Sequence, residues 1–572
     1  MASFEHKKLI ERIAKLDVPP PEPEDFSRWI EAGEHLQLIR DNAAADESII
    51  YASGDYSLVH SIVVSNDRLF PIDEDDLVSW GCNPYTSIAS YCSGGEREGV
   101  WMENIGAHST STKTLDGGVQ LVFARTFEGW NGPDRTYFEL HQQYTHLTGI
   151  HWRPEHHAYC RYDGNGDLDH VVSVTKGQGA NDVTLVSFKW QPLQEYLAAS
   201  NASLVRLFDF TLLRRGAFAG WPNSAEEVVR ESEALFYRRK VLGGTAAYTH
   251  GVQIIRPRQE TRAVLSAMQD QWFGRGDKRY VEFIAHDFRN NRLAKISTDP
   301  VATTNYFETK SNALPFELSP AFFRPEVLLK YKTDRDKYTV GERDIHCRSA
   351  WYLKGIDVNE AGQVHAYICY LRSLPYSEQL HWASFNEEPK TGISQRAVTH
   401  DFKGEFASFP APLQEVVSIV RRWHEKGSPW WTLRDDVLLD RVHTPVTASR
   451  DEWADAFMDL AKLVNEGFEL KPVRAKLDVA GVSYELKEQS IVLLERLRNL
   501  AFEPDDAKQF VGLRTMQNIR SKAKGHAGGS DAQQLSQEAL RQHGSYTDHF
   551  KHVCQLVSED LRAIEEIFGA RS

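Results

Sequence analysis

Near the end of the chain, Arg520 and His526 are the two residues whose types and spacing point most directly to chemistry. An imidazole can take a proton from a ribose 2′-hydroxyl near neutral pH, and a guanidinium can hold a phosphodiester and its transition-state charge through paired donors. From Ala507 to Ser530 the chain carries five basic residues and no acidic one, inside a segment (449–572) with 17 Lys and Arg against 20 Asp and Glu. Gly525 is the residue expected to stop the helix, which releases His526 onto a loop beside the last turn with Arg520 and Lys524. Lys508, Arg514, Ser521, Lys522 and Lys524 are the candidate RNA contacts around the pair. The alternative reading is that these cations complement a helix dipole and that His526 is a surface cap. His543, Tyr546 and His549, near the start of the next helix, either line the same cleft or form polar surface.

A second constellation is histidine-rich. His141, His146, His151, His156 and His157 fall within 17 residues, with Glu139, Glu155 and Cys160 as further possible ligands. Their spacings do not match a helical metal pair, and odd separations on a strand alternate between faces, so scattered β-surface and core histidines are the competing reading. Asp163-Gly164-Asn165-Gly166-Asp167 has a calcium-loop look, but Leu168 stands where such a loop needs glycine, and it reads as a hairpin turn. The acidic run Asp73–Asp76 reads as the solvated first turn of a helix rather than as a Mg²⁺ site. No phosphate-binding glycine loop, serine-nucleophile elbow or HExxH is present, and no cofactor or metal is called for.

The elements that must position these groups follow from composition and periodicity. The 572 residues, 41% apolar and 26% charged with net charge −14, fit several globular domains, and any contact with nucleic acid must come from a local basic patch. Six cysteines without a CxxC pair exclude a zinc ribbon and a disulfide framework. No apolar stretch reaches the ~20 residues needed to span a bilayer, and the charged start has no leader-like apolar segment, so a cytoplasmic location is expected and no membrane partner. The pattern predicts an α+β fold: an N-terminal helical segment over 1–47 (helices 3–16 and 26–42 around a proline-rich connector), then a large, strand-rich region over 48–410. Its strands include Ser61–Val64, Val119–Phe123 and Val183–Phe188, and its helices 224–239 and 261–272. Two domains with a break near 315–330 are one way to divide it. Ala158–Gly166 and Trp351–Asn359 share a strand-and-turn texture, from duplication or from two similar hairpins.

A helix over 413–423 and a Trp-rich connector fill 411–448. Beyond them, stripes at Trp453/Phe457/Leu460/Val464, Leu486/Leu493/Leu497/Leu500, Phe510/Leu513/Met516 and Phe550 to Phe568 predict an all-α bundle of four or five helices over 449–572. Ser449 with Glu452 has capping-box spacing, and Ser545 is the expected N-cap of the last helix.

An Arg-x5-His motif on the third long helix of a small bundle, followed by Ala-Gly-Gly-Ser and a terminal helix, resembles the HEPN domains, over about the last 125 residues. The resemblance implies a metal-independent endoribonuclease with Arg520 and His526 as its catalytic pair. It also implies a homodimer through the bundle, RNA as substrate, and a toxin or phage-defence setting in which the N-terminal region senses a protein or small-molecule trigger. Active members most often carry Asn, Asp or His after the arginine, where this chain has Ser521. A non-catalytic HEPN-like dimerisation or ligand-binding scaffold, and a metal-dependent enzyme centred on the 141–160 histidines, are the alternatives.

Overall fold

The computed structural model describes residues 6–19, 25–42, 46–69, 90–92, 99–101, 118–126, 136–177, 183–214, 225–242, 246–273, 278–307, 312–405, 411–447, 449–500, 508–523 and 529–569. The fold is α+β, with sheets in the N-terminal part and helices in the C-terminal part. Two compact units divide the chain, Met1–Asp163 with Leu168–Lys278, and Gly164–Asp167 with Arg279–Ser572.

The first unit opens with α1 (His6–Leu16), α2 (Asp25–Ala32) and α3 (Glu34–Asp41). The single helix expected over 26–42 is divided because Gly33 takes φ 61°, a left-handed conformation that glycine adopts without a Cβ clash. An 11-stranded antiparallel sheet follows. Its strands run Glu227–Arg230, Leu235–Leu242, Ala246–Ile255, Ala202–Leu213, Ser57–Ser65, Glu47–Ser53, Thr184–Lys189, Leu168–Lys176, Ala158–Tyr162 and His151–Arg153, with Val119–Gln120 on Ser57–Ser65. The two long central strands are β-branched and aromatic and are buried almost throughout, as a sheet covered on both faces requires. Arg206 is wholly buried there, donating to Gln253 Oε1, the Asn42 carbonyl and Ser48 Oγ, and burial pushes its guanidinium down to about 9.

The helix expected over 224–239 is a correction. Its residues form the paired strands Glu227–Arg230 and Leu235–Leu242, turned where Ser232 Oγ accepts from the amides of Ala234 and Leu235. Val228 and Val229, together with the run from Leu235, favour the pleated surface, and pairing to Ala246–Ile255 overrides the helical spacing. The helix α4 (Thr261–Trp272) lies where the sequence puts it.

The second unit contains a six-stranded antiparallel sheet around Pro320–Phe323, a three-stranded meander (Tyr338–Val340, Asp344–Cys347, Trp351–Lys354) and a helical layer. The second strand-and-turn segment therefore pairs differently from the first. Trp351–Lys354 joins the meander, while Asp357–Val358 pairs with Val364–Tyr367. The helices are α5 (Pro412–Glu425), α6 (Arg450–Val464), α7 (Leu470–Val479), α8 (Ser490–Arg498), α9 (Val511–Ala523), α10 (Gly529–His543) and α11 (Tyr546–Gly569). Six of these fall after residue 449, where four or five were expected. The two extra ones, α7 and α10, bury too few large apolar side chains to leave a stripe in the sequence.

α11 packs against α5, α6, α8, α9 and α10. Trp423, Trp430 and Trp431 belong to the same apolar core as Phe457, Leu513 and Leu561, so the Trp-rich segment is part of the helical layer rather than a connector. Leu486 and Leu500 are exposed, because each lies outside the helix Ser490–Arg498 whose face was extrapolated through them.

Within the second unit, ion pairs tie the sheet region to the helices. Lys332 Nζ donates to Glu452 at 2.8 Å, with side chains only 6% and 7% exposed, and Arg335 pairs with Asp459 at 2.7 Å. Only half of the expected capping box forms. Ser449 Oγ accepts from the Glu452 amide, but the Glu452 carboxylate accepts from the amides of Val446 and Thr447 and from Lys332. Burial alone would raise its pKa, yet the charge and hydrogen bonds of Lys332, with those of Thr447, hold it at about 2.

Candidate nucleic-acid site

Arg520 sits in the last turn of α9, whose position is fixed from its apolar face. Phe510, Leu513, Met516 and Ile519 are buried, and Gly512 lets the helix touch the backbone of α11, since a Cβ there would collide with Leu556 and Val557. The N-terminal end of α9 is held by two carboxylates. Asp560 accepts from the Leu513 amide at 3.0 Å, and burial pushes its pKa up to about 6. Glu495 accepts from the Phe510 amide and, at 2.7 and 2.5 Å, from both nitrogens of the Arg514 fork. Arg514 thus braces the α8–α9 corner. Lys508 stands beyond that same end, its main chain exchanging two 2.8 Å hydrogen bonds with the Asn499 side chain.

At the other end, Ser521 and Lys522 are exposed beside Arg520. The structure therefore gathers Arg520, Ser521 and Lys522, and it places Arg514 and Lys508 at the opposite end of the helix. Lys524, Gly525 and His526 lie outside the described residues, as does the Asp73–Asp76 run.

Two residues that the motif does not reveal complete the site. Arg520 donates to Glu466 Oε1 at 2.5 Å, in a pair whose side chains are 27% and 42% exposed. The carbonyl of Glu466 accepts from Arg434 Nε at 2.8 Å, and Arg434 also pairs with Glu469. The loop that presents Glu466 is fixed from several sides. Trp431 Nε1 donates to the Val464 carbonyl, Asn465 donates to Gln517 on α9, and a Cβ at Gly467 would strike the Trp431 indole. Glu466 lies 54 positions from Arg520, and no local spacing signals the contact.

An open cavity of about 730 Å³ adjoins this network, lined by Arg434, Lys471, Arg474, Asp478 and Tyr484 among others. It lies over the first turn of α7, which holds no acidic residue, and the N-cap residue of that helix, Glu469, is part of its lining. Arg474 donates to the carbonyls of Leu486 and Glu488 while its Nε, buried, has no hydrogen-bond partner.

The remaining candidates resolve as follows. Tyr546 and His549 are core residues and not polar surface. Tyr546 stacks on Trp453, and His549 Nδ1 accepts from Trp453 Nε1 at 3.1 Å, with burial, then His543 and His552, pushing its pKa down to about 4. Among the described residues no group of three His, Cys, Asp or Glu side chains could hold a metal ion. His151, His156 and His157 are exposed, whereas His141 precedes a short helix with its Nδ1 buried. The 163–167 segment is the turn between Ala158–Tyr162 and Leu168–Lys176, as its sequence predicts. Among the described residues no helix is long and apolar enough to cross a membrane. No family model matches the chain, and neither a curated protein nor a solved structure is similar to it.

Proposed function

We propose that this protein is a HEPN-like, metal-independent endoribonuclease. The observation that carries the reading is Arg520, presented in the last turn of α9 beside Lys522 and engaged by a partly exposed carboxylate that phosphate can displace. In the mechanism, His526 takes the proton of a ribose 2′-hydroxyl and the 2′-oxygen attacks phosphorus. The 5′-oxygen leaves with the proton that His526 returns, giving a 2′,3′-cyclic phosphate and a 5′-hydroxyl end. The Arg520 guanidinium holds the non-bridging oxygens as charge builds on them. A homodimer would set two such motifs face to face, with the N-terminal region as the sensor of a protein or small-molecule trigger in a stress or phage-defence setting. The cytoplasm suits free cysteines, as Cys160, Cys347, Cys369 and Cys554 are.

The test is RNA integrity in cells expressing the wild type, Arg520→Ala or His526→Ala with the trigger present. RNA degradation by the wild type and by neither folded variant is the expected outcome; degradation by all three removes the assignment. The Arg520–Glu466 pair favours one second reading, a HEPN-like scaffold whose arginine is structural. In that case the wild type leaves RNA intact and Arg520→Ala lowers stability or dimerisation.

A further inference from the structure

We infer that the cavity over α7 is a binding track for single-stranded RNA leading to Arg520; the assignment of RNA rests on the proposed function. Four observations converge. Glu466 links the two places, its carboxylate on Arg520 and its carbonyl on Arg434, which lines the cavity. Lys471 stands exposed in the first turn of α7, and the carboxylate at that terminus, the N-cap Glu469, is engaged by Arg434. An anion bound there meets the lysine beside the helix terminus. No carboxylate among the described residues pairs with Lys471 or Arg474, and the buried Arg474 Nε is an unused donor. Tyr484 supplies an aromatic face, with the Arg474 guanidinium 5.9 Å from its ring centroid.

Cations that follow a backbone, alternating with an aromatic on which a base can stack, are the parts of a single-strand site. The phosphate belongs on Lys471 and the base on Tyr484, and the next phosphates continue past Arg434 to Arg520. Asp478 accepts from the Tyr484 hydroxyl and orients the ring.

The experiment measures binding of a fluorescein-labelled oligouridylate of about ten nucleotides by anisotropy, in the full-length His526→Ala background to prevent cleavage. Lys471→Glu and Tyr484→Ala are expected to weaken binding about tenfold or more, whereas Lys551→Glu, an exposed lysine of α11 outside the cavity, changes it little. Binding that is indifferent to Lys471→Glu, absent altogether, or equally strong for a duplex of the same length overturns the track. Cleavage by the wild-type chain is scored separately. Cleavage without dependence on Lys471 removes the track and leaves the nuclease, while Lys471-dependent binding without cleavage removes the nuclease and leaves the track.

Discussion

At the scale of single residues, Glu466 is the side chain whose replacement says most about the site. Its ion pair with Arg520 is partly exposed, and such pairs are worth ~0–1 kcal/mol, so Glu466→Gln should leave thermal stability almost unchanged. It removes a negative charge that competes with phosphate for the guanidinium. RNA affinity, read by anisotropy, should rise by about three- to tenfold, with a steeper fall on adding salt. A clear loss of stability instead would make Glu466 a structural hub. The motif residue Arg520 was legible in the sequence because arginine at a basic helix end is a local signal. Glu466, Arg434 and Lys471 were not, because they reach the site only through the fold, from 49 positions away and more. Arg514 looked equally basic in the sequence, and only the packing of α8 shows it committed to Glu495.

At the scale of elements, periodicity revealed the helices that bury large side chains. Trp453, Phe457 and Leu460 of α6, Leu513 and Met516 of α9, and Phe550 through Ile564 of α11 are all buried where the 3.6-residue repeat puts them. α7 buries only Val473 and Leu477, and among its described side chains α10 buries only Ala532, Ser536 and Ala539, too little to stand out from a loop. The contact of α9 with α11 has a direct test. Gly512→Ala gains helix propensity of ~1 kcal/mol, but its Cβ meets rigid backbone at Leu556 and Val557, so a net loss of about 1–3 kcal/mol is expected in denaturant unfolding.

The Lys332–Glu452 pair, between the sheet region and α6, has another. Lys332→Met leaves a buried carboxylate unpaired and should cost about 3–5 kcal/mol, whereas Lys332→Met with Glu452→Gln, whose neutral amide oxygen still accepts from the backbone, should recover part of it. Because Glu452 is held at about 2 against an ordinary 4.5, its contribution is present above the ordinary value and is lost as pH falls through about 2.

At the scale of the whole molecule, buried histidines set the response to acid. His60, His365 and His549 are pushed down to about 4 and His35 to about 3, with burial the first cause in each, from an ordinary 6.5. The unfolded chain therefore binds protons before the folded one does, so their stabilising contribution is complete above pH 6.5 and falls as pH drops toward 4. Asp560, raised to about 6, acts in the opposite sense and loses its contribution as pH rises through that value. With His443 also pushed down to about 4 by burial, these five histidines outweigh Asp560 and the likewise raised Asp17, so the midpoint of thermal unfolding should drop between pH 6.5 and 4. His549→Gln, which keeps an acceptor for Trp453, should shallow that drop; an unchanged slope would mean that His549 titrates normally.

One consequence concerns synthesis. α11 is the shared partner of five helices, and all five precede it in the chain. As they leave the ribosome the faces they turn to α11 have nothing to close on, and the seat at Leu556 and Val557 that receives Gly512 has not yet been made. The helix carrying Arg520 locks into place only when translation has passed the residues of α11. A chain still in the act of being made is thus kept from presenting a finished basic end to the very message that encodes it.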